Sequence, residues 1–404
     1  IVKDGGGALV MPYASNQAQY YLCFNRAELS WQTIDMPAQL VKYEPMEDGP
    51  LDPSGATTLD NEVSFRGGGE GALTVRRSYR FALACTGEYG IGHGGTVPAA
   101  LSTLVTATNT LNSVMERDAD LRLVLIANND LLVFTNPDND PYNNSNMGGA
   151  LLNQNEDVIN GIIGLSSYDI GHVYTGPCND VGGVVSGSVC SGGKGRGVTC
   201  NWGTDVVGTT LSIAAHEMGH QFTAGHTYNN CPGQEGQLSS GSAWEPGSGS
   251  TILSYQGSCG SNNIPGGPNV HYHGGTVGQF WINTHQTGGS LCGNTFETMN
   301  HSPAVTTGYT DGFYIPISTP FELNAAATDA DSDPIKYVWE QIDLGPSSQL
   351  GTPAGTAPLF RVFDPVVSGK RYFPKLSTIL SNGNDILEVL PTYSRDLNFR
   401  CTVR

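Results

Sequence analysis

The sequence predicts an α/β layered domain followed by an all-β, immunoglobulin-like sandwich. Three observations lead there. Apolar runs with strand character alternate with runs of helical period between residues 76 and 165. From about residue 299 onward only short β-type runs separated by turn signals remain. The composition, 38% apolar and 14% charged with 53 glycines, suits a folded chain rich in strands and ordered loops. At 404 residues the chain exceeds one ordinary core, and we divide it into a segment 1–75, a domain 76–298 and a sandwich 299–404.

The elements follow in order. The first segment ends in "LDNEVSFRGGGEGALTV", whose glycines read as a linker or exposed loop. "RRSYRFALACTGEY" then alternates as a strand does. In "GGTVPAALSTLVTATNTLNSVMERD" Thr96 is the expected cap, Pro98 stands in the first turn, and Leu101, Leu104, Val105, Leu111, Val114 and Met115 recur at helical spacing. "DLRLVLIANND" reads as a buried strand and "NEDVINGIIGL" as a second amphipathic helix. Residues 231–269 form a loop-rich stretch, and "PFELNAAA", "IKYVWEQI" and "LNFRCTVR" are the clearest strands of the sandwich, with no helical period among them.

A formal charge of −18, from 37 acids against 19 bases, argues against nucleic acid or an anionic membrane surface as partner, because both require clustered Lys and Arg. No run approaches the roughly 18 apolar residues of a membrane-spanning helix. The opening "IVKDGGGALV" lacks the layout of a signal peptide, so the chain reads as a processed or trimmed product. Nine cysteines are scattered without a CxxC pair, which favours disulfides and export; an odd total leaves at least one thiol free or paired elsewhere.

The chemistry concentrates in "HEMGHQFTAGH", residues 216–226. Thr209 or Thr210 can cap a helix there, with Leu211, Ala215, Met218 and Phe222 as its core stripe. His216 and His220, one turn apart, then project side by side from another face, and Gly225 gives the backbone freedom to bring His226 back toward them. Three imidazoles suit one zinc ion with an open fourth position, the arrangement of catalytic rather than structural sites. Glu217 stands beside the first ligand, where it can act as general base for a metal-activated water. His93, His172, His271, His273, His285 and His301 are scattered and read as structural or solvated, with His271 and His273 the nearest to an exception.

The spacing HExxHxxxxxH followed by "TILSYQG" resembles the metzincin zinc peptidases. Together with "YRFALACTGEY", "YDIGHVY" and "AWEPGSGSTILSY" it is similar to the reprolysin-like, adamalysin-like secreted peptidases of bacteria over about residues 77–295, and "TDADSDPIKYVWEQID" is similar to the sandwich domain that often follows them. The resemblance implies a mixed twisted sheet with long helices, zinc as cofactor, and protein or peptide substrates. It implies that Leu253 stands in place of the methionine whose turn floors the metal, that Tyr255 stabilises an oxyanion, and that a strand within "GGVVSGSVC", residues 182–190, lies at the sheet edge and pairs with extended substrate. That stretch can equally be a glycine-rich surface loop. Thr223 occupies the position of a glycine; if a positive φ is needed there, threonine costs on the order of 1 kcal/mol, and we expect the turn to shift to Gly225. Leu for Met at the floor conserves volume and apolarity.

Two further features stay open. Asp329, Asp331 and Asp333, and likewise Asp138 and Asp140, form oxygen-rich clusters that suit calcium as well as ordinary Asx turns. Cys23 precedes the domain as latency cysteines do in some relatives, without their motif. The sequence thus points to a secreted zinc endopeptidase of unspecified oligomeric state. A catalytically impaired adhesion or binding protein and a zinc hydrolase of non-peptide amides are the alternatives.

Overall fold

A computed structural model describes residues 73–404 apart from Trp202 and residues 309–311, together with the backbone of three upstream strands. Those strands, β1 (Val10–Ser15), β2 (Ala18–Asn25) and β3 (Ser30–Asp35), pair antiparallel in that order. The side chain of Cys23 and its suggested role in latency lie outside the described residues. Next come β4 (Leu73–Cys85), α1 (Gly87–Gly92), α2 (Val97–Ala119), β5 (Leu121–Leu125), α3 (Gly148–Ile163), β6 (Ile170–Thr175), β7 (Gly183–Val185) and β8 (Gly197–Cys200). Helix α4 (Val206–Thr209) continues through a π turn at Thr210–Ala214 into α5 (Ala215–Gln221). Last are α6 (Gly274–Gln286), β9 (Asn294–His301), β10 (Ala304–Thr307), β11 (Phe321–Thr328), β12 (Tyr337–Gln341), β13 (Lys370–Phe373), α7 (Leu376–Leu380) and β14 (Phe399–Val403). No helix among the described residues is long and apolar enough to cross a membrane.

The chain forms two compact units, one mainly of residues 78–117 and 121–218, the other mainly of residues 118–120 and 219–404 with the start of β4. In the first, the sheet runs β5-β4-β6-β8-β7; β6 lies parallel to β4 and β8, while β7 is antiparallel to β8. This is the mixed sheet expected. Strand β6 is buried along its whole length, as a strand covered on both faces must be. The core joins Ala82, Ala84, Leu151, Ile159, Val173, Val184 and Val198, and Cys178 is bonded to Cys200 beside it.

Helix α2 starts as its sequence indicates: Thr96 Oγ1 accepts the Ala99 N–H at 3.4 Å, and Leu104, Leu111, Val114 and Met115 are buried. Strand β5 corrects the sequence reading, because it alternates: Leu121 and Leu123 are buried while Val124 is 46% exposed. It ends the sheet, and its Leu123 backbone is held by the Asn112 amide of α2 at 2.7 and 2.8 Å. Helix α3 begins at Gly148, well before Asn155, because Asp180 caps it by accepting the Gly148 and Gly149 N–H groups at 2.8 and 3.0 Å.

In the second unit, β9 pairs with β4. Beyond it are two antiparallel sheets, β10-β11-β13 and β12-β14, around Leu323, Trp339, Leu359, Phe360 and Phe373. The strands among the described residues there are these five, in one three-stranded and one two-stranded sheet. The single helical turn α7 stands where no helical period was read. The sheets are anchored within the unit by polar contacts to the segment before α6. Arg404 donates to Asp118 Oδ1 at 2.8 Å and to the Tyr272 carbonyl at 2.6 Å, Glu340 accepts the Gly274 N–H at 3.0 Å, and Arg400 donates to the Gly274 carbonyl at 2.9 Å. The loop-rich stretch is closed by Cys231–Cys259. Cys190 and Cys292 are also disulfide-bonded, and the free thiols among the described residues are Cys85 and Cys401. Burial pushes both thiols up to about 12, so neither is a thiolate near neutral pH.

Candidate metal centre

The helix that carries the first two histidines starts earlier than the threonines suggested. Asp205 is its cap, accepting the Gly208 N–H at 2.8 Å; Thr209 and Thr210 have helical φ and lie inside it. Gly208 is required for this: a Cβ there would stand 2.3 Å from Asp205 Oδ2. The core stripe is otherwise as expected, with Ala215, Met218 and Phe222 fully buried and Leu211 half-buried. His216, His220 and His226 are all buried, at 5%, 7% and 0% exposure.

At the end of α5 the structure overturns the expected shift of the turn. Thr223 itself takes φ +64°, and Gly225 is not among the positive-φ residues. The Thr223 N–H donates to the His220 carbonyl at 2.8 Å and the Ala224 N–H to the Gly219 carbonyl at 3.1 Å, which is a Schellman closure with threonine at the left-handed position. Two backbone bonds at the helix end outweigh the local strain of one β-branched residue. Gly225 is needed for a different reason: a Cβ there would lie 2.5 Å from Ser242 Oγ.

This turn aims the third histidine. The His226 N–H donates to Ser239 Oγ at 3.1 Å, and one ligand nitrogen each from His216, His220 and His226 lies within 4.8 Å of the others. The tautomers follow from second partners. His220 Nδ1 sits 2.7 Å from the Ala224 carbonyl and His226 Nδ1 2.7 Å from the Gln237 carbonyl. A carbonyl only accepts, so both Nδ1 atoms carry the proton and both Nε2 atoms present lone pairs. Those two Nε2 atoms are 3.2 Å apart. Two facing lone pairs repel unless a cation lies between them, and tetrahedral zinc at about 2.05 Å from each nitrogen holds its ligands about 3.3 Å apart. The donor set and its spacing fit zinc.

Glu217 is fully buried beside the first ligand. Strand β7 passes close over it, since a Cβ on Gly183 would fall 2.5 Å from both Cγ and Oε1 of Glu217. Thus the stretch read as either edge strand or loop is a strand at Gly183–Val185, at the end of the sheet, and it has room for the carboxylate only as glycine. Leu253 is fully buried against the backbone of Gly219, where an added Cβ would lie 2.8 Å from Leu253 Cδ2. The Tyr255 ring packs edge-on against His226, centroids 4.5 Å apart, and stacks on Tyr228 at 4.7 Å. Sequence reasoning missed the Ala224 and Gln237 carbonyls, Ser239, Gly183 and Gln279, which accepts the Gly225 N–H at 3.3 Å. Of these only Gly183 and Ser239 carry a residue type that could have signalled them.

The other candidates separate. His273 is buried, stacked on Trp244 at 5.1 Å, and caps α6 by accepting the Gly275 N–H at 3.0 Å; burial pushes its imidazole down to about 4. His271 is buried and lowered by the same cause. Asp140 spends its carboxylate on the Gly87 and Tyr142 N–H groups at 2.5 and 2.9 Å, whereas Asp138 is exposed. Asp329, Asp331 and Asp333 do converge, but at the surface, and Asp329 Oδ1 accepts the Asp331 and Asp333 N–H groups at 2.8 and 3.1 Å as in an Asx turn.

A mixed sheet with a helix presenting two histidines and a turn returning a third gives a candidate site for one metal ion. The chain belongs to the reprolysin-like metallopeptidases of family M12B, whose model matches residues 75–279. Nothing among curated proteins matches it. Among solved structures it is similar to a chain described as the structure of a chaperone–substrate complex, at 11% identity and a TM-score of 0.28, over 55% of this chain and 47% of that one. The chain therefore spans less than half of that protein, and the likeness carries no argument.

Proposed function

We propose that the protein is a secreted zinc-dependent endopeptidase, with residues 76–298 as its catalytic domain and residues 299–404 as an immunoglobulin-like sandwich. The observation that carries the reading is the meeting of the His220 and His226 Nε2 lone pairs at 3.2 Å with His216 in the same group. His216, His220 and His226 hold the ion, which when bound supplies Lewis acidity toward water and the scissile carbonyl. Glu217 takes up the proton of the attacking water on a carboxylate oxygen and delivers it to the leaving nitrogen. The outer edge of β7 receives extended substrate by strand addition, which needs backbone groups and little side-chain bulk. Tyr255 donates its phenol to the developing oxyanion, and Leu253 keeps the underside of the site apolar and dry. Disulfides support export. Calcium is not part of the proposal, because Asp140, Asp329 and Asp331 spend carboxylate oxygens on backbone N–H groups and the Asp329, Asp331 and Asp333 cluster lies at the surface.

The test is zinc content and cleavage of an unstructured protein by the parent and by Glu217→Ala, with and without a zinc chelator. We expect chelator-sensitive cleavage by the parent, and a variant that retains zinc and loses activity by about 10²-fold or more. Cleavage that persists in Glu217→Ala removes that residue from the mechanism. Zinc without any hydrolysis favours the binding protein, and hydrolysis of small amides alone favours the non-peptide hydrolase.

A further inference from the structure

Glu245 is fully buried, and no ion pair involving it occurs among the described residues. A carboxylate in such a place is expensive to desolvate, so its hydrogen bonds must account for it. They join two segments. On one side Oε1 accepts the Thr227 hydroxyl at 2.7 Å, next to the third ligand. On the other, Oε2 accepts the Ser250 N–H at 2.7 Å and the Ser250 hydroxyl at 3.3 Å, both oxygens receive the Thr251 N–H at 3.3 Å, and Oε1 also accepts the Thr251 hydroxyl. The backbone repeats the link: the Glu245 N–H donates to the Thr227 carbonyl at 2.8 Å and the Thr227 N–H to the Leu253 carbonyl at 2.9 Å. Gly249, at φ +67°, turns the chain so that it closes around the side chain, and a Cβ there would stand 3.1 Å from that of Glu245.

Resting on the zinc reading above, we propose that Glu245 is a positioning residue that clamps the segment leaving His226 to the turn bearing Leu253. Only an ionised carboxylate accepts from so many donors at once; a glutamine in the same shape would turn one acceptor into an NH₂ group facing backbone N–H or hydroxyl donors. Loss of the clamp loosens the third ligand and the floor together. Removing the partners that orient metal ligands commonly weakens metal binding 10- to 100-fold.

The experiment compares the full chain with Glu245→Gln by chelator competition for zinc, by kcat and KM on a protein substrate at saturating zinc, and by amide exchange at Thr227, Ser250 and Thr251. The clamp predicts a zinc Kd raised about tenfold or more, kcat lowered with KM changed less than about twofold, and faster exchange at the three amides. A folded Glu245→Gln with zinc affinity, kcat and exchange within about twofold of the parent overturns it. A parent that binds no zinc refutes the proposed function instead, and the exchange arm then decides the clamp alone. Should Glu245→Gln fail to fold, Thr227→Val removes one hydroxyl donor at constant shape: weaker zinc binding upholds the clamp, and parent-like binding overturns it.

Discussion

Replacing Thr223 with glycine should stabilise the protein by about 1 kcal/mol. Thr223 sits at φ +64°, where an L-residue loses about 1–2 kcal/mol to crowding between its Cβ and the following carbonyl. Its Oγ1 is buried and makes no hydrogen bond, a further loss of about 1 kcal/mol that glycine removes. Against these stand the greater chain entropy of glycine in the unfolded state, about 0.5–1 kcal/mol, and the methyl group no longer buried, about 0.8 kcal/mol. The balance favours Thr223→Gly, and in a domain of this size 1 kcal/mol raises Tm by about 2–4 °C. Urea unfolding followed by tryptophan fluorescence, with zinc bound, reads the change as a shift in midpoint at constant slope. Thr223→Ala is the control: it keeps the left-handed strain, loses the hydroxyl, and should gain less than glycine. A glycine variant less stable than the parent would refute the reasoning, since it would mean that threonine makes a compensating contact at the helix end.

The remaining expectations concern other sites. His273 holds its folded pKa near 4 against an ordinary value of 6.5, so the unfolded chain binds the extra proton first; its contribution to stability is full above pH 6.5 and is lost as pH falls toward 4, by about 3 kcal/mol in all. His273→Gln, which can still cap α6, should flatten that part of the stability–pH curve, and an unchanged slope would contradict the assignment. Gly183→Ala should lower kcat by two orders of magnitude or more while leaving zinc content intact, because the new methyl group occupies the place of the Glu217 carboxylate; full activity would mean that the strand yields freely. Arg404→Met takes the guanidinium away from the buried Asp118 carboxylate, which keeps the Tyr272 N–H at 2.8 Å, and should cost about 3 kcal/mol in chemical denaturation; a variant within 1 kcal/mol of the parent would show the pair to be incidental.

The histidine triad was legible because the helical repeat makes residues four apart neighbours, and the third histidine followed at a spacing one turn can close. Helix α2 was equally plain, since its cap and stripe are local. What escaped depends on residues far away in sequence or on groups without a side chain. Asp180 moves the start of α3, and Asp205 rather than a threonine starts the helix that carries His216 and His220, which continues through a π turn. The carbonyls of Ala224 and Gln237, which decide where the imidazole protons sit, belong to every residue type and leave no trace in a pattern. Thr223 was judged by propensity alone, and the closure of the helix end outweighed it.

The two histidine nitrogens that meet at the centre also say what competes with the metal. An imidazole nitrogen holds a proton or a divalent ion but not both, so any ion taken up by this triad competes with acid for the same lone pairs.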